Sequence, residues 1–180
     1  KRGLAVNLAQ FVGHGALRLA VMGEDDRAPS PEEMSRMQAL LRRAMEQGAL
    51  GLSSGLIYSP GVFARREELI ELCRVIAPFG GVYTTHMRDE ADFVLEALDE
   101  AIGIAREAGT ALNISHIKAM GRKNWGASAV MLERIGEARR QGMRVTMDLY
   151  PYQATCTSLN ICIPPRYFAQ GRAALLKKLA

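Results

Sequence analysis

The sequence predicts an α/β protein: part of a (β/α)8 TIM-type barrel, made of five consecutive βα units with parallel strands. Three observations predict it. A short apolar run followed by a loop and a helix-like pattern occurs five times in 180 residues. From the second unit on, equivalent strand positions lie roughly thirty residues apart, the length of one βα unit. The four helices before the last strand end on Gly48, Gly80, Gly109 and Gly142, and a strand begins within a few residues of each. Connections this short leave room only for right-handed crossovers back to parallel strands.

The first unit opens on LAVNLAQFVG, read as a strand, and after a polar turn comes SPEEMSRMQALLRRAMEQG. There Ser30 is an N-cap, Pro31 fits the first helical position, Glu33 closes a capping box and Gly48 ends the helix. The second unit pairs ALGLSS with REELIELCRVIAPFG, and the third pairs VYTTH with ADFVLEALDEAIGIAREAG. ALNISH with SAVMLERIGEARRQG makes the fourth; RVTMDLY, a loop and PRYFAQGRAALLKKL make the fifth. A doubly wound sheet and a barrel both suit this alternation. No GxGxxG follows the first strand and no GxxxxGK[ST] occurs, so nucleotide-binding doubly wound folds lose support and the barrel is preferred. A full barrel takes ~250 residues, and five units are a little over half of one. The chain begins at Lys1 rather than Met and stops at Ala180 inside a helix-like run, so both ends read as cuts in a longer protein. Residues 1–150 are expected to belong to the barrel, and 151–180 to a post-strand loop and a truncated helical segment.

Composition narrows the function. A hydrophobic content of 48% supplies a core, which excludes a disordered or fibrous chain. The net charge of +4 comes from residues such as Arg65, Arg66, Arg139, Arg140, Lys177 and Lys178, spread over helix-like positions. A solvated face explains that spread, and no nucleic-acid partner is expected. Cys73, Cys156 and Cys162 form no CxxC pair, which excludes a zinc ribbon or a disulfide framework and fits a cytoplasmic setting. No apolar run reaches the ~18 residues of a spanning helix, so no membrane partner is expected.

Two strand-like runs stop on histidine: VYTTH on His86 and ALNISH on His116. Chemistry in parallel α/β folds gathers at the C-terminal ends of the strands. On neighbouring strands ~4.8 Å apart, two imidazoles can share one metal ion, since neutral His is a favoured zinc ligand. The alternative is a pair of polar strand ends. His14, in FVGHGALR, has no partner in the unit between and is assigned a hydrogen-bonded structural role. Cys73 lies in a helix expected on the barrel exterior, while Cys156 and Cys162 lie beyond the fifth strand. Lys118 follows His116 by two residues, on the same side of an extended exit. Tyr58 lies in the glycine-bracketed loop GLIYSPG, and Tyr150 closes the fifth strand. A cation and two phenols beside a metal pair suit an anionic substrate whose carbonyl needs polarising; a solvated loop charge and packing tyrosines are the alternatives. Arg88, Asp89 and Glu90 are expected to cap the next helix and hold its loop.

VGHGALR, EQGALGLSSGLIYSPG, YTTHMRDEAD, ISHIKAMGRKNWG and MDLYPYQA, in that order and spacing, resemble the N-acyl-D-amino-acid deacylase (D-aminoacylase) family of the amidohydrolase superfamily. The resemblance covers nearly the whole chain, as the central and C-terminal portion of that barrel. It implies zinc, one or two ions in the full-length enzyme, with His86 and His116 as ligands on the family's fifth and sixth strands. It further implies that Tyr58 and Lys118 hold the α-carboxylate of an N-acyl-D-amino acid and that Tyr150 is catalytic, at the reacting carbonyl. Some relatives carry a second His where this chain has Ile117. The family's HxH pair, cysteine ligand and catalytic Asp fall outside these residues, and Asp148 lies on the wrong strand to replace that Asp. The fragment alone is therefore expected to be inactive and to self-associate through open sheet edges. A cyclic-amide hydrolase of the dihydroorotase or dihydropyrimidinase type is disfavoured because ALGLSSGL has no lysine to carboxylate. A non-catalytic basic binding module is the alternative of another class, and it lacks a nucleic-acid motif.

Overall fold

Five strands, Val12–Gly13 (β1), Gly51–Gly55 (β2), Val82–His86 (β3), Ala111–Ile114 (β4) and Val145–Met147 (β5), pair in the order β1-β2-β3-β4-β5, all parallel. The computed structural model describes residues 3, 5–169 and 171–179. Among the described residues, six α-helices lie between and after the strands: His14–Met22 (α1), Pro31–Glu46 (α2), Arg66–Ile76 (α3), Val94–Ala108 (α4), Ala127–Arg140 (α5) and Gly171–Leu179 (α6). Helices α1 to α5 pack on one another in chain order, α1 on α2, α2 on α3, α3 on α4 and α4 on α5. A doubly wound sheet reverses strand order and splits its helices between two faces. Neither happens here, and the chain winds in one direction as a barrel does.

The register sorts side chains onto two faces. Leu52, Tyr83, Leu112 and Val145 stand in one row, fully buried with Leu41, Leu69, Ile76, Leu98, Ile104 and Ile135 from the helices. Ser53, Thr84, Asn113 and Thr146 form the row on the other face, and the last three bond among themselves, with Asn113 donating to Thr84 at 3.2 Å and Thr146 to Asn113 at 2.8 Å. Gly51 allows β2 and β3 to come this close: its φ is +152°, and a Cβ there would lie 2.0 Å from the Val82 carbonyl oxygen.

Helix α2 starts as its sequence predicts. Glu33 N donates to Ser30 Oγ at 3.2 Å, Ser30 N donates to Glu33 Oε2 at 2.8 Å, and Pro31 is the first helical residue. The first unit departs from expectation in one respect: the strand read over residues 4–13 shortens to Val12–Gly13, with Leu4 outside the described residues. Val6 and Leu8 are exposed, so their alternation records no buried face. A helix, α1, follows at once, because His14 and Arg18 one turn on are both drawn into a buried ion pair with Glu68 of α3. His14 Nε2 lies 2.7 Å and Arg18 Nη1 2.6 Å from that carboxylate. Burial acts to raise the Glu68 carboxyl, but His14 and Arg18 hold it below its ordinary range. His14 thus takes the structural role assigned to it. Cys73 is buried in α3, where desolvation pushes its thiol well above the usual range and keeps it neutral. Among the described residues no helix is long and apolar enough to cross a membrane.

Candidate metal centre

His86 is the last residue of β3, on the polar face with Thr84. Continuing the β3–β4 register past its last pair, Thr85 with Ile114, would set Ser115 beside His86 and send His116 to the opposite face. That does not happen. His116 adopts φ +40°, the sole non-glycine residue with positive φ among those described. This left-handed turn brings its ring round to His86, and it is fixed by Asp148, whose Oδ1 accepts from His116 N at 2.5 Å. Oδ2 of Asp148 accepts from Asn113 Nδ2 at 2.9 Å, so the carboxylate is itself aimed by β4.

The two rings meet with centroids 4.6 Å apart, nearly edge to face, and His86 Nδ1 lies 3.0 Å from His116 Nε2. Nitrogens bound to one zinc at ~2.0–2.1 Å cannot be more than roughly 4 Å apart, and in tetrahedral geometry they stand ~3.3–3.4 Å apart. The pair therefore fits a shared ion. Burial, aided by the neighbouring His116 and Lys118 against the pull of Glu90, holds the His86 imidazole below its ordinary pKa. A neutral ring is the form that coordinates metal.

Behind the pair sits a buried carboxylate. Glu90 Oε1 lies 3.1 Å from His116 Nδ1 and 2.6 Å from Lys118 Nζ, while Oε2 lies 3.8 Å from His86 Nε2. His86, Glu90 and His116 each offer an atom within 4.8 Å of the others. Lys118 reaches the site after a turn rather than an extended exit, with Nζ 2.8 Å from His116 Nδ1. Tyr150, three residues past β5 rather than at its end, places its ring 6.3 Å from that of His116 and 5.5 Å from Lys118 Nζ. The Tyr58 ring lies 5.0 Å from that of His86, and its hydroxyl bonds Thr157 Oγ1 at 3.0 Å. Gly61 lets the Tyr58 loop fold back, since a Cβ there would stand 2.7 Å from the Gly55 carbonyl oxygen. All five residues singled out by sequence converge at one end of the sheet. A cavity of about 600 Å³ opens beside Tyr58, walled by Ile57, Val62, Arg88, Ile161 and Phe168 among others.

No family model matches the chain. Curated relatives do: over 161 residues it is 44% identical to the N-acyl-D-glutamate deacylase of Alcaligenes xylosoxydans xylosoxydans, covering 89% of this chain and 32% of the relative. Over 156 residues it is 45% identical to a D-aminoacylase of the same organism, covering 87% and 32%. Among solved structures, it matches the N-acyl-D-glutamate deacylase of Bordetella bronchiseptica, complexed with zinc and a phosphonate mimic of the tetrahedral intermediate. That match has a TM-score of 0.80 at 45% identity, over 82% of this chain and 31% of that one. The chain belongs to the N-acyl-D-amino-acid deacylase family of amidohydrolases.

It spans about a third of the length of the curated deacylases it matches. A D-aminoacylase with a binuclear metal centre, activated by one metal and attenuated by a second, matches at a TM-score of 0.78 and 44% identity over 82% of this chain and 31% of that one. Within this segment, two of three charged residues after His86 behave as expected. Asp89 accepts from the backbone N–H groups of Ala91 at 2.6 Å and Phe93 at 3.1 Å ahead of α4. Arg88 forks onto Glu100 and also donates to the carbonyls of Val62 and Ala64, tying down the Tyr58 loop. Glu90 departs from the cap and loop role: it turns inward beneath the histidines. Nothing in the triplet Arg88-Asp89-Glu90 distinguishes it from its neighbour. Only its position four residues past a strand-end histidine hinted at the site.

Proposed function

We propose that this chain carries part of the metal and substrate site of an enzyme that hydrolyses the amide bond of N-acyl-D-amino acids, giving a carboxylate and a D-amino acid. The observation that carries the reading is the convergence of His86 Nδ1 and His116 Nε2, 3.0 Å apart, at the C-terminal end of adjacent parallel strands. These nitrogens would hold zinc, with one or two ions in the full-length enzyme. The chemistry such an ion supplies is Lewis-acid polarisation of the acyl carbonyl and a water acidified toward neutral pH. The chain's own groups then have separate tasks. Lys118, 15% exposed in its side chain and held by Glu90, pairs with the substrate α-carboxylate, and the Tyr58 hydroxyl hydrogen-bonds it. Tyr150, whose ring lies beside both His116 and Lys118, donates its hydroxyl to the oxygen on which negative charge develops.

Residues 1–150 belong, in this reading, to the barrel and 151–180 to the loop and helix that follow. The free thiols of Cys73, Cys156 and Cys162 favour a cytoplasmic setting. No nucleic-acid or membrane partner enters the reading. The test uses the full-length protein: zinc content, and hydrolysis of N-acetyl-D- against N-acetyl-L-amino acids. His86→Asn and His116→Asn should each lose bound zinc and hydrolysis together. Full zinc retention in both variants would refute the site.

A further inference from the structure

We propose that Arg88 is a positioning residue for the substrate clamp: its guanidinium fixes the turn that carries Tyr58, and so sets where the phenol meets the substrate α-carboxylate. This rests on the role given to Tyr58 above. Arg88 lies two residues past His86, and its Nε and Nη2 donate to the two oxygens of Glu100 on α4, at 2.9 Å to Oε2 and 2.9 Å to Oε1. That fork fixes the plane of the guanidinium against the helix. From there Nη1 donates to the Val62 carbonyl at 3.1 Å and Nη2 to the Ala64 carbonyl at 3.0 Å. Val62 is the link to the clamp, because its own N–H donates to the Tyr58 carbonyl at 2.8 Å. At the start of the same segment Leu56 N donates to the His86 carbonyl at 3.2 Å, and Tyr58 N donates to the Gly55 carbonyl at 3.2 Å. The Tyr58 segment is thus tied to the strand of His86 at one end and to Arg88 at the other. Between these ties the Tyr58 ring comes to lie 5.0 Å from that of His86.

Arg88 acts through this turn rather than on the substrate. Nε gives one of these hydrogen bonds, Nη1 one and Nη2 two, which occupies four of the five N–H groups of the side chain. A lysine cannot replace it, since a single ammonium on a flexible stem has no rigid fork to span a carboxylate and two carbonyls.

The experiment uses the full-length, zinc-loaded protein as wild type, Arg88→Lys, Tyr58→Phe and the double variant. Arg88→Lys should raise KM for N-acetyl-D-amino acids ~10-fold, the size of one hydrogen bond to a charged group, with kcat little changed. The matching amides without an α-carboxylate should respond far less. Once Tyr58→Phe has removed the hydroxyl, adding Arg88→Lys should change KM by less than about twofold, because the two residues act as one unit. Hydrogen exchange at the Val62 and Ala64 amides should quicken in Arg88→Lys, while zinc stoichiometry stays that of wild type. Glu100→Gln, which loosens the fork from outside the site, should move KM and exchange the same way by a smaller factor. A folded Arg88→Lys with wild-type KM or unchanged exchange would overturn the proposal, as would effects that multiply in full in the double variant or a loss of zinc. Should Tyr58→Phe alone leave KM unchanged, the role of Tyr58 fails and this inference with it; should it raise KM while Arg88→Lys does not, this inference alone fails.

Discussion

Asp148→Ala perturbs the backbone on which the site depends. His116 sits at φ +40°, and a side-chain-bearing residue in that region costs ~1–2 kcal/mol. Opposing this is the 2.5 Å bond from His116 N to the Asp148 carboxylate. A hydrogen bond to a charged group contributes ~1.5–3 kcal/mol, which falls to about 1–2 kcal/mol here because Asp148 is exposed to water. Bond and strain are thus of the same size, and removing the bond leaves the turn without compensation. The His116 backbone then relaxes toward the extended register that points its ring away from His86. A loss of about 1–2 kcal/mol corresponds to zinc binding weaker by ~5–30-fold. Asp148→Asn keeps an acceptor without the charge and should fall between Ala and wild type. Chelator competition on the full-length protein measures this, with circular dichroism to establish that each variant is folded. A folded Asp148→Ala protein that binds zinc as tightly as wild type would show that the turn is held by other contacts and that the reasoning fails.

Three further outcomes follow from the same geometry. Lys118→Ala in the full-length enzyme should raise KM for N-acyl amino acids, while the matching amides without an α-carboxylate respond far less; equal losses on both substrates would mean that Lys118 does not read the carboxylate. Glu33, held down to about 2 by hydrogen bonds from Arg27 and from the Ser30 backbone, should stabilise α2 above the ordinary carboxyl pKa near 4.5 and lose that contribution as pH falls toward 2. Thermal melts of wild type and Glu33→Gln should therefore differ at pH 7 and converge near pH 2, and a gap that persists in acid would exclude the linkage. Residues 1–180 expressed alone should show no N-acetyl-D-amino-acid hydrolysis with added zinc and should self-associate. The sheet is open, with β1 and β5 each paired on one side only, and Leu149 beyond β5 is 72% exposed. Turnover by a monomer in light scattering would place the whole catalytic set inside this segment.

Periodicity made the architecture legible because the signals of a βα unit are local: the Ser30-Pro31-Glu33 start of α2, and glycines with positive φ such as Gly48, Gly80, Gly109 and Gly142 after the helices. The same logic failed in the first unit, where the apolar run 4–13 suggested a strand. A buried pairing with Glu68, fifty or more residues away, instead recruits His14 and Arg18 into a helix. Ligand types at the site were equally legible, since His86 and His116 close equivalent runs one unit apart. Their convergence was not. By register His116 should have faced away, and what reverses it is a left-handed turn held by a carboxylate thirty-two residues later in the chain. Beside its ring stand Lys118, 2.8 Å from Nδ1, and a second carboxylate, Glu90, which belongs to the loop of the other ligand. A pattern along the chain can name donors, because donors are residue types at strand ends. The lone-pair directions that make two donors one site arise from contacts between strands, and these exist only once the sheet has formed.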